Sequence, residues 1–294
     1  MKAAPFEYVR PRSVEEACAL LADDADAAII AGGQTLVPMM AMRLARPARL
    51  VDIARIPELQ GIRLEGDAVI IGAATRQAQA EASDVVATHV PLLSRALPWV
   101  GHAATRSRGT VGGSVANADP AAEIPLVLVA LGGDIVLRDP GGIQTIAARD
   151  FFVGPMMTAM RRGNCATDIR FPVWKQQRIG VGFQEISARR SDFALASAAA
   201  QIAIDDAGLC CACVAGVGGA TAVPVRLHVE RLIGSALSDA DIAEAARAAT
   251  EKLEVMTSPH ASDDYRRRAA RVLVGRALAE ARDDALARSS RAAA

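Results

Sequence analysis

Arg108-Gly-Thr-Val-Gly-Gly-Ser-Val-Ala-Asn-Ala-Asp-Pro120 places three glycines, two hydroxyl residues and an Asp-Pro step within thirteen positions. An apolar run follows, Ala121 to Leu131, which reads as a helix with Asp119 as N-cap and Pro120 at its first position. Residues 103–118 are too poor in apolar side chains to read as anything but a loop. Glycine lets a backbone approach an oxyanion closely and aim N–H groups at it, and neighbouring hydroxyls add donors. The sequence therefore nominates Thr110, Val111, Gly112, Gly113 and Ser114 as phosphate ligands, with Ala118 and Asp119 closing the segment. At Gly113 the expectation is sharpest: main-chain N–H groups meet an anion in a space that no side chain can enter.

Working outward, a second segment has the same character. Ile30-Ala-Gly-Gly-Gln-Thr-Leu36 follows a buried-strand pattern at Ala27 to Ile30 and precedes a helical stretch, Leu36 to Leu44, whose Pro38 is tolerable only in a first turn. It adds Ile30, Ala31, Gly32, Gly33, Gln34, Thr35 and Leu36 to the candidates. Gly-Gly alone is unspecific, since the pair recurs at 132–133, 141–142 and 218–219 and usually marks a turn. Two such segments flanked by hydroxyls, in neighbouring lobes, could clamp one diphosphate. No Gly-Lys-Ser/Thr follows either of them, and Gly-x-Gly-x-x-Gly is absent, so neither a Walker loop nor a Rossmann site is indicated.

Bulk properties narrow the field. A chain of 294 residues with half its side chains apolar can bury a large core and is long enough for two or three lobes. Basic and acidic residues balance at 33 each, and aromatics are only 3 % of the chain, which argues against a nucleic-acid platform. The first ten residues hold no apolar stretch, and the longest apolar runs fall short of the ~20 residues of a spanning helix, so a cytoplasmic protein is expected. Five cysteines without an export signal make a disulfide framework improbable. Cys210-Cys-Ala-Cys213 has no fourth ligand nearby and reads as small buried residues on a strand, so no metal site is assigned.

The chain divides into three by pattern. Residues 1–57 alternate strand, helix, strand, helix, strand, with Ser13 and Glu16 forming a capping box. Residues 58–172 start with a hairpin turned at Gly66-Asp67, run through helices at Thr75 to Ala82 and Pro91 to Val100, and end in strands at Asp134 to Arg138, Ile143 to Ile146 and Thr167 to Phe171. Phe171-Pro172 and the polar residues after it mark a boundary. Residues 173–294 present three long strands, Gly180 to Ala188, Leu195 to Ile204 and Leu209 to Gly216, then two helices. The expected class is α+β, with a three-stranded antiparallel sheet and helices in the last unit.

The two glycine segments, Leu50-Val-Asp-Ile53 and the stretch Phe183 to Ala194 with Arg189 and Ser191-Asp-Phe-Ala194 resemble the medium, FAD-binding subunit of the xanthine dehydrogenase and carbon monoxide dehydrogenase family of molybdenum hydroxylases. The likeness runs the length of the chain. It implies a two-lobed FAD domain of the p-cresol methylhydroxylase type to about Pro172, then the family's C-terminal flavoprotein domain. It further implies FAD held between Ile30 to Leu36 and Thr110 to Ser114, with Glu123 near the dinucleotide. Glu123 reads equally well as a helix-dipole partner in a first turn. Two positions depart from the family: Gln34-Thr35 stand where many members have His-Ser, and Gln184-Glu185 where relatives often have a lysine. The partners implied are a small subunit with two [2Fe–2S] clusters and a large subunit with a molybdopterin cofactor that hydroxylates the substrate, in a heterotrimer or a dimer of heterotrimers.

No catalytic residue is nominated. His89, His102, His228 and His260 lack ligand or triad spacing, Met39-Met40, Met42 and Met156-Met157 read as core, and Arg266-Arg-Arg268 reads as a solvated face or a docking surface. Flavin electron transfer needs no protein acid–base set. The rival readings are a self-sufficient FAD oxidoreductase acting on a small substrate, and a non-enzymatic nucleotide-binding module. The substrate and the terminal acceptor are not encoded in these motifs.

Overall fold

A computed structural model describes residues 2–292. The first unit is a three-stranded parallel sheet in the order β1-β3-β2, made of β1 (Glu7–Val9), β2 (Ala27–Ile30) and β3 (Arg49–Asp52). Parallel pairing requires crossovers, which are α1 (Val14–Asp23) and the short α2 (Leu36–Ala41). Ser13 caps α1 by accepting the Glu16 amide at 3.2 Å, and Val14, Ala17, Cys18 and Leu21 form its buried stripe.

A second, five-stranded sheet has the order β4-β5-β10-β6-β7: β4 (Ile62–Glu65), β5 (Ala68–Gly72), β6 (Asp134–Asp139), β7 (Gly142–Ala147) and β10 (Cys165–Pro172), all antiparallel. The helices between β5 and β6 cover it. They are α3 (Gln77–Glu81), α4 (Asp84–His89), α5 (Pro91–Ala96), α6 (Ala103–Arg108), α7 (Val111–Asn117) and the wholly buried α8 (Glu123–Leu131). After β7, the short α9 (Ala148–Phe151) leads into a hairpin of β8 (Phe152–Gly154) and β9 (Met157–Thr158).

Two corrections to the sequence reading arise here. Residues 103–118 hold two helices instead of a loop, because Val111 and Val115, four apart, bury one face of α7 completely and Thr110 caps it. The last sheet has four strands, β11 (Ile179–Ser187), β12 (Ala194–Ile204), β13 (Cys210–Gly218) and β14 (Val225–Leu227), the fourth being too short to show an alternating pattern. One face of this sheet packs on α5 and α8, placing Val181, Phe183, Ala199 and Val214 in the same core as the second unit. The other face is covered by α11 (Asp263–Ala292), and α10 (Asp239–Thr250) packs against that helix. Alanine-rich β12 and the glycines of β11 explain how this is possible: a Cβ at Gly180 or Gly182 would collide with the α11 backbone at Ala281 or Ala277.

Other assignments shift with burial. Cys210 and Cys213 are buried in one core while Cys211 is exposed, because the pairing of β13 with β12 shifts register between Cys210 and Ala212. Arg266 is buried and donates to the carbonyls of Leu195 and Gly219, so it belongs to no solvated face. Met156 and Met157 are exposed at the β8–β9 turn, and only Met40 of the first methionine group is buried. Among the described residues, no helix is long and apolar enough to cross a membrane.

Candidate cofactor site

The two glycine segments, far apart in sequence, meet on one wall. Gly32 lies so close to the end of α6 that a Cβ there would sit 2.5 Å from the Arg108 carbonyl oxygen and 2.8 Å from Gly109 Cα. On the other side, Gly112 is backed against Ala73, whose Cα a Cβ would meet at 2.6 Å. Side chains are thus excluded from the seam by backbone, a requirement only glycine satisfies. The seam opens into a cavity of about 790 Å³, at the upper end of the size of small-molecule sites.

Of the sequence-derived residues, Ile30, Ala31, Gly32, Gly33, Gln34, Thr35 and Leu36 line this cavity from the first sheet, and Thr110, Gly112, Gly113, Ser114, Asp119 and Glu123 line it from the second unit. Val111 and Ala118 do not. Val111 is fully buried under α7, and Ala118, in the left-handed region at φ 50°, ends that helix. Asp119 is no N-cap either: its carboxylate accepts the Ala121 amide at 2.9 Å in a turn, and α8 begins two residues later.

The segments contribute differently. Among the described residues, the amides of Gly33, Gln34, Thr35 and Leu36 donate no hydrogen bond within the chain, so this loop offers free donors beside the cavity. In the second segment the Thr110 hydroxyl accepts the Gly113 amide at 3.0 Å and the Gly112 amide donates to Ala73, so these two amides are already satisfied. The expectation that the Gly113 N–H meets an anion is therefore corrected. Nor does Gly113 adopt a positive φ, since it lies inside α7. What this segment offers is proximity, together with the side chains of Ser114 and Asn117.

Several lining residues escaped the sequence reading. Gln77 is 5 % exposed and its Oε1 has no hydrogen-bond partner, an orphaned acceptor on the cavity wall. Arg106 donates to both carboxylate oxygens of Glu81, at 2.6 and 3.0 Å, and to the carbonyls of Val100 and Gly101, holding those two lining residues in place. The loop Met160 to Asn164 and, from the third unit, Ser191, Asp192 and Phe193 close the far side. Phe193 is 76 % exposed, an apolar ring held out over the opening. Isolated polar and aromatic residues in loops and in helices of five or six residues carry no periodicity that would single them out.

Glu123 sits in the first turn of α8 and on the cavity wall. Burial pushes its carboxyl up to about 7, the charge of Asp119 adds to the effect, and Arg106 opposes it. Glu185 on β11 is pushed up to about 8, first by burial and then by the charge of Glu123, and its Oε2 is buried without a partner. Among the described residues, no three His, Cys, Asp or Glu side chains converge as a metal site would require.

Residues 4–174 match the family described as the FAD binding domain in molybdopterin dehydrogenase, and residues 182–281 match the CO dehydrogenase flavoprotein C-terminal domain. The chain belongs to the FAD-binding subunits of the molybdopterin dehydrogenases. Similar relatives of this family include the 6-hydroxypseudooxynicotine dehydrogenase complex subunit alpha of Paenarthrobacter nicotinovorans, 39 % identical over 96 % of both chains. The carbon monoxide dehydrogenase medium chain of Hydrogenophaga pseudoflava is 35 % identical over 93 % of this chain and 96 % of its own. Among solved structures, quinoline 2-oxidoreductase from Pseudomonas putida 86 superposes with a TM-score of 0.92 at 33 % identity, covering 97 % of this chain and all of the other. The cleft fits the cofactor of the molybdopterin dehydrogenase FAD subunits on its own terms, with side-chain-free backbone walls at Gly32 and Gly112, four free amides and an unpartnered Gln77 acceptor.

Proposed function

We propose that this chain is the electron-relaying subunit of a multi-subunit molybdenum hydroxylase: it receives electrons from a [2Fe–2S] partner and releases them to an external acceptor, while substrate is oxidised on a molybdopterin-containing partner. The observation that carries the reading is the meeting of two glycine segments on one cleft wall, in a chain whose relatives are named as a dehydrogenase complex subunit and a hydroxylase medium subunit. Within this proposal, residues 1–57 and 58–172 form the two walls of the FAD site, and 173–294 close it through Ser191 to Phe193. FAD, when bound, supplies one- and two-electron chemistry, and the protein contributes binding, orientation and shielding.

Each group then has a stated task. The amides of Gly33 to Leu36 and the hydroxyls of Thr35 and Ser114 hold the diphosphate, the anion such donors suit. Gly32 and Gly112 keep the wall free of side chains. Gln77 accepts a hydrogen bond from the cofactor, Arg106 fixes the Val100-Gly101 backbone, and Phe193 excludes water at the opening. The test uses the purified chain with and without its two partner subunits. Alone it should bind FAD yet fail to oxidise aldehydes, purines or N-heterocycles, and recombination should restore activity with an artificial acceptor. Turnover of any such substrate by the isolated chain would replace this reading with that of a self-sufficient oxidoreductase.

A further inference from the structure

A row of polar groups runs from the cavity wall at the start of α8 to the edge of the last sheet. Val181 and Phe183 of β11 lie in the core shared with α5 and α8, and Glu185, two residues on, faces the same way. Its cross-strand neighbour on β12 is Ser197, and the next across, on β13, is Gly218. Ser197 is fully buried and its hydroxyl has no hydrogen-bond partner, and Glu185 Oε2 is likewise buried and orphaned. Gly218 leaves room between that hydroxyl and the turn before α8: a Cβ there would lie 3.0 Å from Ser197 Oγ and 3.4 Å from the Pro120 carbonyl oxygen. Glu123, on the cavity wall, stands three residues beyond Pro120. At the other end, β11 is the edge strand, so the half-buried Glu185 lies between this interior and solvent.

An orphaned polar atom in a core costs about 1–3 kcal/mol, and two side by side on neighbouring strands call for a task. The charges around the row are identified. Asp119 and Arg106 act on Glu123, and Glu123 acts on Glu185. Arg95 of α5 and Glu280 of α11 pair with one another at 3.2 Å beside Gln184, Asp284 of α11 accepts the Val181 amide, and Arg189 and Arg190 after β11 stand in solvent. Carboxyls held near 7 and 8 keep protons at neutral pH, where an ordinary one at 4.5 would be empty.

We propose that Glu185, Ser197 and Glu123 form a proton path between solvent at the edge of β11 and the FAD cavity, with Glu123 beside the cofactor and Glu185 behind it. The inference rests on the relay reading given above. Electrons passed singly from a [2Fe–2S] cluster bring no protons, whereas two-electron reduction of a flavin takes one up: two electrons and one proton give the anionic reduced form. Glu123 gives up that proton. Ser197 then accepts one from Glu185 while donating its own to Glu123, and Glu185 recovers a proton from solvent. Reoxidation by the acceptor runs the path backward. A hydroxyl suits the middle place because it accepts and donates at once. Glu185 and Ser197 act through Glu123 and are positioning residues.

The test uses the FAD-loaded full chain and reduced methyl viologen, a one-electron donor that carries no proton, with flavin bleaching followed by stopped flow across pH. The wild-type rate should hold to about pH 8, fall above it and be slower in heavy water. Glu185→Gln should match wild type near pH 6 and be roughly fivefold slower at pH 8, where a carboxyl at 7 is protonated about a tenth of the time and one at 8 about half. Ser197→Ala removes only an unpartnered hydroxyl, so melting temperature and FAD content should stay unchanged while the rate profile becomes that of Glu185→Gln. Glu185→Asp keeps a titrating group and should retain the rate at pH 8. A wild-type profile in either Ser197→Ala or Glu185→Gln would overturn the path. So would a loss in Glu185→Gln that is equal at pH 6 and pH 8, which is what a purely structural role produces. Failure of the relay reading shows instead as substrate turnover by the isolated chain, a measurement this donor does not enter.

Discussion

Substitution of Gly32 by alanine tests the seam with one methyl group. Its Cβ would lie 2.5 Å from the Arg108 carbonyl oxygen and 2.8 Å from Gly109 Cα, where Cβ contacts under 3.0 Å essentially never occur. Both obstacles are backbone, so no side chain can rotate away and the two glycine segments must separate by half an ångström or more. Gly32 has no positive φ, so conformational strain does not confuse the result. Overpacking of this kind costs about 1–3 kcal/mol. If the free chain relieves it by opening the seam and FAD binding must close it again, the affinity for FAD falls roughly 5- to 150-fold. FAD titration by fluorescence quenching, with melting temperature measured on the cofactor-free chain, separates the terms. The control is Gly275→Ala on α11, where the nearest contact is 3.8 Å, and which should raise stability by ~0.5–1 kcal/mol with FAD affinity unchanged. An unchanged FAD affinity in Gly32→Ala, whether or not the melting temperature drops, would refute the claim that the seam must be closed to hold the cofactor.

Thr110→Ala removes the α7 cap and should cost ~1 kcal/mol in thermal unfolding, whereas Ser114→Ala should lower FAD affinity and leave the melting temperature unchanged. Arg106→Ala leaves Glu81 and two carbonyls without their donor on a side chain only 11 % exposed, so stability should fall by ~2 kcal/mol and FAD affinity with it; equal FAD affinity would show that the Val100-Gly101 backbone holds itself. Glu123 and Glu185 ionise near 7 and 8 when folded, against an ordinary value of 4.5. Between about pH 5 and 8 the unfolded chain therefore binds fewer protons than the folded one, and stability should decline as pH rises through that window. Glu185→Gln should flatten the upper part of that decline in melts taken across the range, and an unaltered slope would show that Glu185 does not titrate there.

The linear sequence by itself determined the family, the α+β class and most of the strands, because strand alternation, caps and glycine segments are local: Ser13 accepts the amide three residues on, and Gly-Gly marks a wall wherever it folds. It also named thirteen of the residues that line the cavity. It misread 103–118, because the only helical signal there is the pair Val111 and Val115 in a segment weakened by glycine, and burial against the second sheet overrides low propensity. Which side of each residue faces the cofactor was decided only in three dimensions. Thr110 gives its hydroxyl to Gly113, Val111 and Ala118 turn inward, and Gln77 and Phe193, with the Val100-Gly101 backbone held by Arg106, arrive from elements that share no periodicity with the glycine segments. The difference is physical: local hydrogen bonding is written in neighbouring residues, whereas free amides, orphaned acceptors and raised carboxyl pKa values depend on what packing places around them from distant parts of the chain.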